Sequence, residues 1–296
     1  MAELRIDELV YRARHLKNPT VVGLDPRVEL LPECVFGGKK DVPRAIYEFN
    51  KAIIDAVADI VPAVKPQIAM YELYGSRGIE VFERTARYAK ERGLIVIGDI
   101  KRGDIASTAE AYAQAHIGEV NAFGESFTVF NEDFATINPY LGEDSIRPFL
   151  DVCKQRGTGV FVLVKTSNPG SGQLQDIHMA DGRPLYERVA ELVNGWGKEF
   201  IGAQGYSSVG AVVGATHPAQ TKRLRELMPQ TLFLAPGYGA QGAKAEDIVS
   251  GSMVNSSRGI IFAYKNDRYL RSPDDFAKAA RLAALDMRRD LKDIKI

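Results

Sequence analysis

A closed parallel (βα)8 barrel, the TIM-barrel architecture of the α/β class, is the fold the sequence predicts, and three observations predict it. Short apolar, β-branched runs alternate eight times with stretches of helical spacing. Each run is apolar throughout, as strands buried on both faces are, and each ends in polar or glycine-rich residues. The 296 residues suit one such barrel, since barrels commonly take about 250. No low-complexity tract or linker divides the chain, so residues 1–296 read as a single domain. An open doubly wound sheet is the alternative.

The elements follow in order. Leu4, Leu9, Val10, Ala13 and Leu16 recur at helical spacing and predict a helix that caps the body and stops at Asn18-Pro19. The first strand, 20–24, runs into Asp25-Pro26-Arg27, which places a carboxylate at its C-terminal end. Residues 28–42 make an unusually long connection, an insertion or a flap. A helix over 43–59 with Pro43 in its first turn precedes the second strand, 60–64, which closes on Lys65-Pro66-Gln67. A helix over 75–92 precedes the third strand, 94–97. Four charges, Asp99, Lys101, Arg102 and Asp104, then crowd in before a helix over 105–115. Later strands are predicted at 135–138, 159–165, 208–214, 231–235 and 252–256, with helices near 143–155, 184–200, 217–228, 243–250 and 273–292. Segment 116–132 carries no clear pattern.

In a barrel all eight strand ends meet on one face. Asp25, Lys65, Asp99, Lys101, Asn138, Ser167 and the glycine-rich loops therefore surround one pocket although they are far apart in sequence. That convergence makes the Asp99-x-Lys101-x-x-Asp104 spacing a candidate catalytic cluster rather than a solvated turn. A lysine between two carboxylates keeps its proton in a partly dry pocket, because the opposite charges offset its desolvation. Lys101 is thus a poised proton donor.

Composition excludes several function classes. Lysine plus arginine equals aspartate plus glutamate at 38 each, which gives no electrostatic case for nucleic acid or an anionic membrane. No run reaches the roughly 18 apolar residues of a membrane span, and the N-terminus is a charged helix rather than a signal peptide. Cys34 and Cys153 lack metal spacing, which suits a reducing, cytoplasmic setting. His15, His116, His178 and His217 form no ligand set, so no metal is expected, and no serine or cysteine lies in a nucleophile motif.

Residues Pro236-Gly237-Tyr238-Gly239-Ala240-Gln241-Gly242 spell G-x-G-x-x-G after an apolar strand. A dinucleotide site would need an acid at the end of the next strand, where the chain reads VNSSRGII. The better reading is a phosphate cradle, since barrels often bind phosphate on the loops after strands seven and eight. Arg258 supplies a planar two-pronged cation there and Gln241 a further donor. The glycine-rich loop 166–182 has the length of an active-site lid, with Ser167 placed to read a polar ring edge.

Taken together, VVGLDPR, VKPQIAMYE, GDIKRGDIASTA, INPYLG, VKTSNPGSG, APGYGAQGA and NSSRGI, in that order, resemble the orotidine 5′-phosphate decarboxylase family, specifically its longer bacterial branch. The resemblance implies a barrel dimer that converts orotidine 5′-phosphate to uridine 5′-phosphate and carbon dioxide without a cofactor. It implies that Asp99 sits by the substrate carboxylate and Lys101 protonates the ring carbon. Asp104, Ile105 and Thr108 would complete the partner's site. Asp25 and Lys65 would hold ribose hydroxyls and Ser167 the pyrimidine edge. Pro236, Gly237, Gly239, Gln241 and Arg258 would hold the phosphate. The rival within the barrel group is a magnesium-dependent sugar-phosphate decarboxylase or synthase, against which Lys65 stands where an acidic ligand would be needed. From another class, the rival is a catalytically silent nucleotide-binding protein.

Overall fold

In a computed structural model that describes residues 4–239, 242–269 and 272–296, eight strands close a parallel barrel. The chain opens with helix α1 (Arg5–Leu16), followed by β1 (Thr20–Leu24), α2 (Val42–Val57), β2 (Ala63–Pro66), α3 (Ala69–Glu72), α4 (Gly75–Glu91), β3 (Ile95–Arg102) and α5 (Ala106–Ile117). A hairpin, β4 (Val120–Ala122) and β5 (Glu125–Phe127), comes next, then β6 (Phe134–Ile137), α6 (Glu143–Arg156), β7 (Gly159–Lys165) and the one-turn helix α7 (Gly172–Gln175). The remainder is α8 (Leu185–Gly197), β8 (Ser207–Val213), α9 (Pro218–Leu227), β9 (Thr231–Ala235), β10 (Ser252–Ser256), α10 (Arg258–Ile261) and α11 (Phe276–Asp290). Around the barrel the order is β1-β10-β9-β8-β7-β6-β3-β2.

Strand alternation divides the core in two. Val21, Ala63, Ile95, Ile97, Phe134, Phe161, Leu232, Leu234 and Met253 fill the barrel interior, whereas their neighbours Val22, Val64, Val96, Ala135, Val160, Phe233 and Val254 pack outward against the helices. The opening helix closes the bottom, since Ile6, Leu9, Val10 and Ala13 of α1 join the interior cluster. Large and small side chains interlock across this interior. Gly210 on β8 lies beside Phe161 on β7, and Gly159 on β7 beside Phe134 on β6.

Four expectations need correction. Strand β3 does not stop at residue 97 but continues through the charged cluster to Arg102, so Asp99 and Lys101 belong to the barrel wall rather than to a loop. Strand β2 lies later than predicted and includes Lys65. The helix predicted over 243–250 is only a single 3-10 turn, Ala245–Asp247. The long connection 28–42 is no open flap: it holds 3-10 turns at Val28–Leu30 and Glu33–Phe36, and Leu31 and Val35 are buried in the core. Segment 116–132, unassigned from sequence, carries the hairpin, whose turn residues Phe123 and Gly124 both take positive φ, at 53° and 82°.

The interlocked interior leaves no room for another methyl at Gly210, where one would lie 2.5 Å from Phe161 ring carbons and 2.9 Å from the Leu232 carbonyl. Gly210→Ala is expected to destabilise the fold by about 1–3 kcal/mol through overpacking. Calorimetric melting of the variant against the parent checks this, and an unchanged melting temperature would show that the barrel relaxes around the extra methyl.

Candidate active site

Extending the interior alternation one layer toward the C-terminal end brings chemistry into the barrel. Above Ala63 comes Lys65, above Ile97 comes Asp99, above Phe134 comes Thr136 and above Phe161 comes Leu163, and all four line a cavity of about 470 Å³ at the barrel mouth. Ser167, Gln175 and Pro236 line it as well. A smaller adjoining cavity of about 190 Å³ shares Lys65, Asp99 and Pro236 and extends to Asp25, Gly237 and Arg258. The two form one cleft, with a partly apolar end toward Leu163, Val212 and Leu234 and a polar end toward the glycine loop.

At the centre lies an alternating set of charges. Lys65 Nζ donates to Asp99 Oδ2 at 2.5 Å, and Lys101 Nζ donates to Asp99 Oδ1. Lys65 is 4% exposed and Asp99 7%. Within the chain the carboxylate therefore sits between two lysines, the reverse of the expected lysine between two carboxylates, because Asp104 turns away and accepts from the Ile105 amide at 2.8 Å. Burial pushes the Asp99 carboxyl up, but the two ammonium groups outweigh it and hold it far below the usual carboxylate range. Burial likewise opposes the charge on Lys65, and the attraction of Asp99 and Asp25 reverses that, so it stays protonated above the ordinary lysine range.

The remaining predicted residues fall into three groups. Asp25 and Arg258 face the polar end, Asp25 with a buried Oδ1 that has no hydrogen-bond partner among the described residues. Gly237 holds φ at 105°, a conformation for which glycine is needed. Gly239 lines a neighbouring cavity with Tyr269 and Met287, and Gln241 lies outside the described residues. Asp104 is half-buried, and Ile105 and Thr108 are exposed where α5 begins, Ile105 at 53%. Asn138 lies one residue past β6, where its amide donates to the Arg102 carbonyl and its Oδ1 accepts from the Tyr140 amide.

Sequence reasoning missed three participants. Thr136 lies two residues after Phe134, so period two alone points it inward; taking the strand one residue late hid it. Gln175 reaches from the loop back to its start, accepting from the Thr166 amide at 3.0 Å and donating to Thr166 Oγ1 at 2.9 Å. Lys165, 1% exposed, donates from the end of β7 to Asp176 at 2.8 Å and Ser171 at 3.2 Å, tying the predicted lid to the barrel. Among the described residues no three His, Cys, Asp or Glu side chains gather as a metal site, and no helix is long and apolar enough to cross a membrane.

Known proteins match this arrangement. The model of the orotidine 5′-phosphate decarboxylase / HUMPS family matches residues 19–265. A protein named orotidine 5′-phosphate decarboxylase from Rhodopirellula baltica is 46% identical over 287 residues, covering 92% of this chain and 94% of its own. Another of that name from Caldicellulosiruptor bescii is 42% identical over 300 residues, covering 96% and 97%. The solved structure of Leishmania donovani OMP decarboxylase superposes with a TM-score of 0.71 at 32% identity, covering 96% of this chain and 98% of its own.

The depressed Asp99 pKa has a consequence for stability against pH. The stabilisation is present in full above the unfolded-state value of 3.8 and is lost progressively as pH falls from there toward the lower folded value. Asp99→Asn should cost about 3 kcal/mol at pH 7 by leaving Lys65 buried without its nearest partner. Urea unfolding from pH 7 down to 3 measures it: the difference between parent and variant should hold steady to about pH 5 and shrink below about pH 4. A difference that already collapses near pH 6 would contradict the depressed pKa.

Proposed function

The chain belongs to the orotidine 5′-phosphate decarboxylase / HUMPS family, and on that premise we propose that its cleft converts orotidine 5′-phosphate to uridine 5′-phosphate and carbon dioxide, with Lys101 as the proton donor. The observation that carries the reading is the buried Asp99 between Lys65 and Lys101, beside a glycine loop and Arg258. A magnesium-dependent reaction of the same barrel group fits poorly, because the Lys65 ammonium occupies the second strand end at 2.5 Å from Asp99.

The substrate's ring carboxylate sits next to Asp99. The carbon–carbon bond breaks, carbon dioxide leaves, and the electron pair stays on the ring carbon in an orbital that lies in the ring plane. Delocalisation does not reach that pair, so stabilisation comes from outside the ring. The Lys101 ammonium, half exposed in the isolated chain, is held in place by Asp99 before charge develops, and such fixed charge contributes strongly once bound substrate displaces water from it. Its proton moves to the ring carbon, and the neutral amine regains one from solvent. Asp25 and Lys65 hold ribose hydroxyls, for which the unpaired buried Oδ1 of Asp25 is a ready acceptor. Ser167 contacts the pyrimidine edge, and Pro236, Gly237, Gly239, Gln241 and Arg258 hold the phosphate. No cofactor takes part.

The working unit in this reading is a homodimer in which Asp104, Ile105 and Thr108 complete the partner's site. Exposed apolar side chains on the same rim support it: Ile105, Leu73 at 74%, Tyr140 at 73% and Leu141 at 50%. A second copy covers them more naturally than water. The reading places a single barrel domain in the cytoplasm, in keeping with the free thiols of Cys34 and Cys153.

A spectrophotometric assay with orotidine 5′-phosphate, with and without chelator, tests the reaction; full turnover in chelator is expected, and loss of it would favour the magnesium-dependent class. Lys101→Ala should lower kcat by at least about 1000-fold, the scale of losing a proton donor and a fixed charge together, with uridine 5′-phosphate binding still measurable. Near-normal turnover in that variant would remove Lys101 from the mechanism. Mixed and exchanged Lys101→Ala and Asp104→Ala chains should recover activity. In a mixed dimer one site carries both defects and the other carries neither. Persistent inactivity despite proven exchange would contradict a shared site.

A further inference from the structure

Strand β3 is irregular where its chemistry sits. Gly98 pairs with Ala135 and Arg102 pairs with Ile137, so four steps along β3 face two along β6. The excess is a bulge, and Lys101 within it takes φ of 48°, a left-handed conformation that side-chain-bearing residues seldom adopt. Ordinary ladder partners for the bulged amides are lost. One side chain replaces them: Thr136, the β6 residue between the two pairs, accepts from the Ile100 amide and from the Lys101 amide, each at 3.0 Å. Its own proton goes to Asp99 Oδ1 at 3.1 Å. A hydroxyl has one donor and two acceptor positions, and all three are used. Thr136 is 1% exposed and Asp99 7%, so these bonds form largely out of water's reach.

We infer that Thr136 is a positioning residue for the Asp99–Lys101 pair, its single hydroxyl fixing both the bulged backbone that presents Lys101 and the carboxylate that orients its ammonium. Serine would supply the same three bonds, whereas valine fills the same volume and supplies none. Valine would leave the buried Ile100 amide and the half-buried Lys101 amide without this acceptor and free the bulge to relax, moving Lys101 away from its left-handed conformation. The phosphate contacts come from other strand ends, at Gly237 and Arg258, and on the ribose side Asp99 keeps its bond to Lys65 through Oδ2, so binding should be spared. The defect therefore belongs to the chemical step.

This inference rests on Lys101 and Asp99 acting as proposed, and the experiment separates the two. Thr136→Val, Thr136→Ser and Lys101→Ala are compared for kcat, KM, uridine 5′-phosphate affinity and melting temperature. Thr136→Val should lose about 10- to 100-fold in kcat with KM and product affinity within about twofold of the parent. Thr136→Ser should restore kcat to within about threefold. Should the valine chain not fold, Thr136→Ala removes the hydroxyl without the branched methyl and is read in the same way. Near-parental kcat in Thr136→Val or Thr136→Ala beside an inactive Lys101→Ala overturns the positioning role alone. A serine variant as slow as the valine one overturns it too, as does a kcat loss that follows melting temperature and product affinity in every variant. Turnover surviving in Lys101→Ala overturns both readings together.

Discussion

Taking a carboxylate out of water costs several kcal/mol unless opposite charge meets it. Asp99 is met twice, by Lys65 from the neighbouring strand and by Lys101 from its own. Much of the mouth follows from that requirement. Lys65 is itself buried and needs Asp99 and Asp25 to keep its charge, so β1, β2 and β3 are tied together at their C-terminal ends by charge as well as by the backbone ladder. The arrangement opposes relaxation, because withdrawing any one member leaves another charge buried without its partner. Such a set has little reorganisation left to do when charge develops on a bound molecule, the condition under which electrostatic stabilisation is most effective.

The barrel supplies the place for this set by plain alternation. Its interior is largely apolar from the α1 plug upward, through Ile95, Ile97 and Phe134, and turns charged in the last layer with Lys65 and Asp99, joined there by Thr136. Below that layer, glycines beside Phe134 and Phe161 let the rings interlock, so the floor under the charges is close-packed. A dry floor and a polar rim give a cleft that is partly apolar at Leu163, Val212 and Leu234 and polar at Asp25 and Arg258. The fold and the proposed substrate have the same polarity gradient.

Most of this was legible in the chain, and what was not has physical reasons. Strands β1, β7 and β9 matched their predicted bounds because each is a mainly apolar run with a sharp polar or glycine boundary, and β10 matched around its short apolar centre, Met253 and Val254. Strand β3 was read short because hydropathy ends at Ile97, whereas pairing with β6 and the Thr136 hydroxyl carries extended backbone five residues further. Thr136 was missed for a different reason: the predicted strand began one residue late, without the inward Phe134 from which period two counts to it. The helix over 243–250 failed since Gly242 and Gly251, both at positive φ, confine the segment between two turns. The charged cluster was recognised but its pairing inverted, as spacing cannot reveal that Lys65, 34 positions before Asp99, arrives from the adjacent strand.

The strain at Lys101 also separates two roles within one short motif. A regular strand would send residues 99 to 104 straight past the barrel mouth, with alternate side chains pointing outward. Regular alternation already sends Asp99 and Lys101 to one face; the bulge turns the backbone left-handed at Lys101 and then releases the chain, so that Asp104 accepts from the Ile105 amide and α5 begins with Ile105 in solvent. One irregularity thus leaves the first half of the motif lining this chain's cleft and the second half at its surface. A left-handed residue costs on the order of 1 kcal/mol or more, and the three bonds of Thr136 offset it at the point where regularity would have been cheaper. Strain retained at the base of Lys101, and offset by a buried hydroxyl, is what a preorganised site requires of its backbone.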